Sequence, residues 1–255
     1  MEQRGLTIRA DGLRLDALIY LPSHLPAPYP AVCICHGIPA GPPDPSDRGY
    51  QILAERFCAQ GFVVLLFNFR GTGESEGNLD LLGWTRDLAA VVDYLHGLEE
   101  VDSSRLSVVG FSGGAAVSVY RTAHDPRITS LVTCACPAHF HKFVWEGGVE
   151  GSIARFREIG AIRDADFPAS PQEWAQGFAE MTPINWISGV SPRPLLIVHG
   201  GGDDVVDPSH AQELFQQAGE PKELLIVPGG EHPLKGNKLA MDAALAWLRR
   251  VNGLR

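Results

Sequence analysis

The sequence predicts an α/β protein, with a mostly parallel sheet of eight strands and helices on both faces. Three observations lead there. Continuous apolar runs of strand length recur at 31–36, 62–69, 106–109, 128–134, 194–199 and 223–227, as expected of strands buried on both faces. Stretches of helical periodicity lie between them, near 50–60, 84–96, 113–124, 209–218 and 238–251, and strand–helix alternation implies parallel pairing. Gly (28) and Pro (19) together well exceed the roughly 30 that average usage supplies, which suits many tight strand–helix turns.

In chain order, residues 6–10 and 13–21 alternate apolar and polar side chains around Asp11-Gly12, which signals a hairpin and supplies the first two strands. Pro22, Pro26, Pro28 and Pro30 make a stiff connection to the first buried strand. That strand ends in His36-Gly37-Ile38 and a Pro/Gly loop over 39–49. The helix near 50–60 stops at Gly61, and the one near 84–96 at Gly97. The texture changes near Pro137: residues 138–190 are aromatic-rich helical patches broken by Gly and Pro. We read 1–137 and 191–255 as the core and 138–190 as a small, mainly helical cap insertion at the carboxyl edge of the sheet, where such folds bind ligands.

Composition narrows the function. A chain of 255 residues allows one large domain. A formal net charge of −9, spread without blocks, argues against nucleic acid and anionic membrane as partners. No apolar run approaches a membrane span, and the start has no signal-peptide shape, so a cytoplasmic protein is expected. Five cysteines cannot all pair, and Cys33, Cys35, Cys58, Cys134 and Cys136 are expected as buried thiols. A homodimer is left open.

The chemistry centres on Gly110-Phe111-Ser112-Gly113-Gly114, between an apolar strand and a small-residue helix. This is Gly-x-Ser-x-Gly in the context of a nucleophile elbow, a strained turn that lifts the Ser hydroxyl clear of the sheet. Strand and helix pass so closely there that Gly110, Gly114 and Ala115 meet a steric need. Gly73-Glu-Ser75-Glu-Gly77 spells the same pattern, but its strand ends several residues earlier, no helix follows directly, and two acids flank the Ser; we expect a loop. A nucleophilic Ser needs a base, and the base an orienting acid. The strand 194–199 runs into Asp203, Asp204 and Asp207, and the strand 223–227 into His232. Asp203 is favoured over Asp204 on spacing, while Asp207 suits a cap for the following helix. The order Ser112, Asp203, His232 is the one this architecture uses.

Together, His36-Gly37, Phe69-Arg-Gly-Thr-Gly-Glu-Ser-Glu-Gly77, Gly110-Phe-Ser-Gly-Gly114, His199-Gly-Gly-Gly-Asp-Asp-Val-Val206 and Pro228-Gly-Gly-Glu-His232 make the chain resemble the α/β-hydrolase family, close to its serine esterase and prolyl-oligopeptidase-like branches. The resemblance covers both halves and leaves the insertion unmatched. It implies the α/β-hydrolase fold, with Ser112 as nucleophile, Asp203 as acid, His232 as base, and the loop after the first buried strand as oxyanion loop. Its donors are expected to be the N–H groups of Ile38 and Gly113, since Pro39 has none to give. The implied reaction is cofactor-free cleavage of a small-molecule carboxylic ester through an acyl-enzyme. A peptidase or amidase, an acyltransferase and a non-catalytic binding module are the alternatives. Phe111, His139, Trp145 and Trp186 are expected to contact substrate. His139 and His141 resemble a metal pair without an evident third ligand, so no metal is expected; His36 and His199 are expected to be structural, and Arg70 and Asp87 a buried ion pair.

Overall fold

The computed structural model describes every residue except 24, 25, 43, 45, 141–146 and 255. The described elements begin with β1 (Glu2–Ala10) and β2 (Leu13–Leu21), an antiparallel hairpin whose turn residues Asp11 and Gly12 have φ of 52° and 82°. There follow β3 (Tyr29–Cys35), α1 (Gly49–Cys58), β4 (Val63–Phe67), α2 (Leu81–His96), β5 (Val101–Phe111), α3 (Gly113–His124) and β6 (Ser130–Cys134). Then come α4 (Gly148–Glu158), α5 (Pro171–Glu180), two short 3-10 turns at Pro183–Asn185 and Ile187–Val190, β7 (Leu195–Gly200), α6 (Ser209–Gln217), β8 (Lys222–Val227) and α7 (Lys238–Val251).

The strands form one sheet in the order β1-β2-β4-β3-β5-β6-β7-β8. β2 joins β4 antiparallel, and every pairing from β4 to β8 is parallel. This is the α/β-hydrolase fold. Every residue of β3 is buried, because both faces of the sheet are covered. One face packs under α2, α3 and α6 with the helices of the insertion; the other packs under α1 and α7. Parallel strands put all their carboxyl ends on one edge, so the loops after β3, β5, β7 and β8 meet there.

Two boundaries differ from expectation for local reasons. β5 starts at Val101, several residues before its apolar run, with a polar lead-in tied by Asp102 to Ser104 and Arg105. α2 starts at Leu81, where the Asp80 carboxylate accepts the Leu82 N–H and caps the helix. Arg70 and Asp87 form the expected buried pair: the Asp87 carboxylate accepts from the Arg70 N–H at 2.9 Å and from its guanidinium at 2.6–3.1 Å. All five cysteines are buried thiols, with Cys33 and Cys35 sulfurs 3.9 Å apart. Among the described residues no helix is long and apolar enough to cross a membrane.

Candidate functional site

The elbow follows from packing. Ser112 has φ 50° and ψ −122°, a conformation that ordinary residues avoid. Its N–H donates to the Cys134 carbonyl at 2.8 Å, which pins the turn to β6. A Cβ on Gly114 would stand 2.1 Å from the His36 carbonyl oxygen and 2.8 Å from that of Cys35, so only glycine lets α3 start against the end of β3. The seam between the β7 and β8 loops is similarly tight: a Cβ on Gly200 would meet the Gly230 carbonyl oxygen at 2.3 Å. That contact brings the Asp203 and His232 loops together.

Ser112, His232 and Asp203 form one hydrogen-bonded line. Ser112 Oγ is 3.1 Å from His232 Nε2, and His232 Nδ1 is 2.8 Å from Asp203 Oδ2. With Nδ1–H donating to the carboxylate, Nε2 is left bare to accept the Ser112 O–H. The Asp203 side chain is fully enclosed, and its Oδ1 accepts the Val205 and Val206 N–H groups at 3.0 and 2.8 Å. Burial pushes its pKa up, but hydrogen bonds from His199, His232 and the Val206 N–H outweigh that and hold the carboxyl well below the usual carboxylate range. Asp204 is exposed, and it is Asp203 that meets His232 Nδ1. Asp207 accepts the Ser209 N–H at 2.8 Å at the start of α6.

The Ile38 and Gly113 N–H groups find no acceptor among the described residues. The segments that carry them are in contact, since a Cβ on Gly113 would lie 3.4 Å from Ile38 N. Two unpaired donors beside a serine can hold a developing oxyanion. A cavity of about 750 Å³ opens on this constellation and includes Ile38, Phe111, Ser112 and His232 in its lining.

Other expected contacts fall elsewhere. Phe111 does line the cavity. Trp186 does not: its indole N–H donates to the Glu180 carbonyl, and its ring packs on Tyr120 and His124 at the far end of α3. His139 is also away from the cavity, with Nε2 2.8 Å from a Glu213 carboxylate oxygen. Both expectations rested on the insertion covering the site, whereas these two residues pack on α3 and α6. Trp145 and His141 lie outside the described residues. Among the described residues no group of three or more metal-ligating side chains converges.

Sequence reasoning missed Tyr50 and Lys235, which also line the cavity. The Tyr50 ring meets Phe111 edge-on at 5.3 Å, Lys235 Nζ sits 4.6 Å from the Tyr50 ring centroid, and the ammonium pairs with Asp47. No linear motif marks them; topology alone gathers α1 and the His232 loop. His36 Nδ1–H donates to the Gly37 carbonyl at 2.7 Å, and its Nε2 accepts the Phe69 N–H at 3.2 Å. Burial holds its pKa down to about 4, so it stays neutral and structural.

With this geometry established, comparison with known proteins is informative. The model of the X-Pro dipeptidyl-peptidase (S15) family matches residues 11–182, a span that includes Ser112. The uncharacterized protein Rv2307c of Mycobacterium tuberculosis (strain H37Rv) is 28% identical over 242 residues, covering 93% of this chain and 76% of that protein. The esterase domain of a Rhodothermus marinus protein superposes with a TM-score of 0.72 at 20% identity, over 98% of this chain and 99% of that one. A putative dipeptidyl aminopeptidase IV from Bacteroides ovatus superposes with a TM-score of 0.71 at 18% identity, over 99% of this chain but 35% of its own. At such identities the two structures share the fold alone.

Proposed function

The chain belongs to the X-Pro dipeptidyl-peptidase (S15) family of α/β-hydrolases, and from that premise we propose that it cleaves carboxylic esters through an acyl-enzyme on Ser112. The observation that carries this reading is the unbroken line from Ser112 Oγ through His232 to Asp203, at 3.1 and 2.8 Å. His232 Nε2 takes the Ser112 proton as Oγ attacks the carbonyl carbon. Asp203 holds the Nδ1–H tautomer and stabilises the imidazolium. The Ile38 and Gly113 N–H groups receive the oxyanion, each worth about 3 kcal/mol in the transition state. His232 then protonates the leaving alcohol. Water, deprotonated by the same imidazole, releases the acid. Ile159, Gly160, Ala161 and Arg163 of the insertion line the cavity, which supports reading 138–190 as a cap over the site.

Ester bonds come first because the esterase domain of the Rhodothermus marinus protein has a similar fold. The family match keeps a second reading in view, cleavage of a peptide bond after an X-Pro unit. A panel of p-nitrophenyl acetate, butyrate and octanoate beside an X-Pro p-nitroanilide separates them. We expect turnover of at least one ester with little on the anilide; the reverse order makes the peptidase reading correct.

A further inference from the structure

We propose that His199 is a positioning residue for the proposed reaction: it fixes the Asp203 carboxylate from behind, so that Asp203 can orient His232. The inference rests on the reading of Asp203 as the triad acid. His199 is the next-to-last residue of β7 and is completely buried. Its Nε2 lies 2.8 Å from the Val206 carbonyl oxygen and 3.3 Å from Asp203 Oδ2. A carbonyl and a carboxylate can only accept, so Nε2 carries the proton; it donates to the Val206 carbonyl, and Asp203 Oδ2 is its longer second contact. The other ring nitrogen, Nδ1, is then a bare acceptor, buried and without a hydrogen-bond partner among the described residues.

That unpaired nitrogen is the informative feature. A buried polar atom without a hydrogen bond destabilises the fold, and an aliphatic side chain of similar size would avoid the cost. What the imidazole supplies in exchange is an N–H that donates to the Val206 carbonyl and stands 3.3 Å from Asp203 Oδ2. Both Asp203 oxygens thereby have neighbours: Oδ1 the Val205 and Val206 N–H groups, and Oδ2 the His232 ring at 2.8 Å with the His199 N–H behind it at 3.3 Å. Without His199, the one described residue left against Oδ2 would be His232, the ring that Asp203 has to hold. His199 also closes the Asp203–Val206 turn through the Val206 carbonyl, which a purely structural role would equally require.

Substitution separates the two roles. Gln places its amide nitrogen as many bonds from Cα as Nε2 of histidine, and its two N–H groups can serve both the Val206 carbonyl and Asp203. Leu fills the space and donates nothing. We expect His199→Leu to lower kcat for p-nitrophenyl acetate about tenfold with KM little changed, and His199→Gln to restore most of kcat. The melting temperature of the Leu variant should change little, since it loses the unpaired Nδ1 while leaving the Val206 carbonyl unpaired. In an Asp203→Ala background His199→Leu should cost almost nothing further, because its effect runs through Asp203. Wild-type kcat in His199→Leu overturns the proposal, as does a Gln variant as slow as the Leu one. If the Leu variant fails to fold, His199→Asn, whose amide ends one bond short, takes its place against Gln with the same two outcomes. Full activity in Asp203→Ala itself would instead refute the assignment of the acid.

Discussion

Two stretches of this chain spell Gly-x-Ser-x-Gly, and the structure gives them opposite fates. Ser112 sits at a strained turn with its hydroxyl facing His232 and an open cavity. Ser75 is completely buried, donates its hydroxyl to the Asn68 carbonyl at 2.6 Å and accepts the Asp16 N–H at 2.9 Å. The first hydroxyl has an imidazole as its partner; the second is spent on holding a loop against β2. A five-residue pattern does not make a nucleophile. A strand that runs up to the Ser, a helix that starts after it and a base delivered by a distant loop do.

The comparison can be broken first at Ser112. Ser112→Ala should cut ester turnover by about four orders of magnitude or more with the melting temperature nearly unchanged, measured by steady-state kinetics and thermal unfolding. Turnover close to wild type would mean that the strained serine is not the one that reacts.

His36 lies between the two stretches, its backbone oxygen against Gly114 and its ring accepting the Phe69 N–H at the foot of the Ser75 loop. Its folded pKa of about 4 is below the value near 6.5 of an unfolded chain. The unfolded state therefore binds more protons between those values. Stability from this group is complete above about pH 6.5 and falls as the pH drops to about 4, by up to about 3 kcal/mol. Asp125 and Asp203, whose pKa values are lowered, lose their contribution only at still lower pH, below the ordinary Asp value. Denaturant unfolding across that range should show the slope in the wild type and lose it in His36→Gln; an unchanged slope would place its origin elsewhere.

The smallest effect is expected at the second serine. Ser75→Ala should leave kcat and KM nearly as they are and cost about 1–2 kcal/mol of stability, because the Asn68 carbonyl and the Asp16 N–H lose their shared partner. Chemical denaturation and ester kinetics on one preparation test both halves.

How far the sequence carried depends on the kind of signal each element left. Strands buried on both faces leave continuous apolar runs, so β3, β4, β6, β7 and β8 were legible nearly to their ends. The lead-in of β5 was not, because residues 102–105 pair and cap through polar side chains that read as loop. Ser112, Asp203 and His232 were legible because each follows an apolar strand in a small-residue turn that packing demands. Trp186 and His139 were misplaced because the path of an insertion over the core leaves no periodic mark. Tyr50 and Lys235 were invisible for the same reason, since only the folded topology stacks one on the other beside Phe111. His199 is legible in the sequence as a structural residue, but its contact with Asp203 requires coordinates.

The most direct test asks which hydroxyl becomes acylated or phosphonylated. The protein is incubated with a fluorophosphonate probe, digested, and the adduct mapped by mass spectrometry in the wild type and in His232→Ala. We predict one adduct, on Ser112, formed far more slowly without the imidazole. An adduct on Ser75, or labelling of Ser112 at an unchanged rate in His232→Ala, would contradict the account.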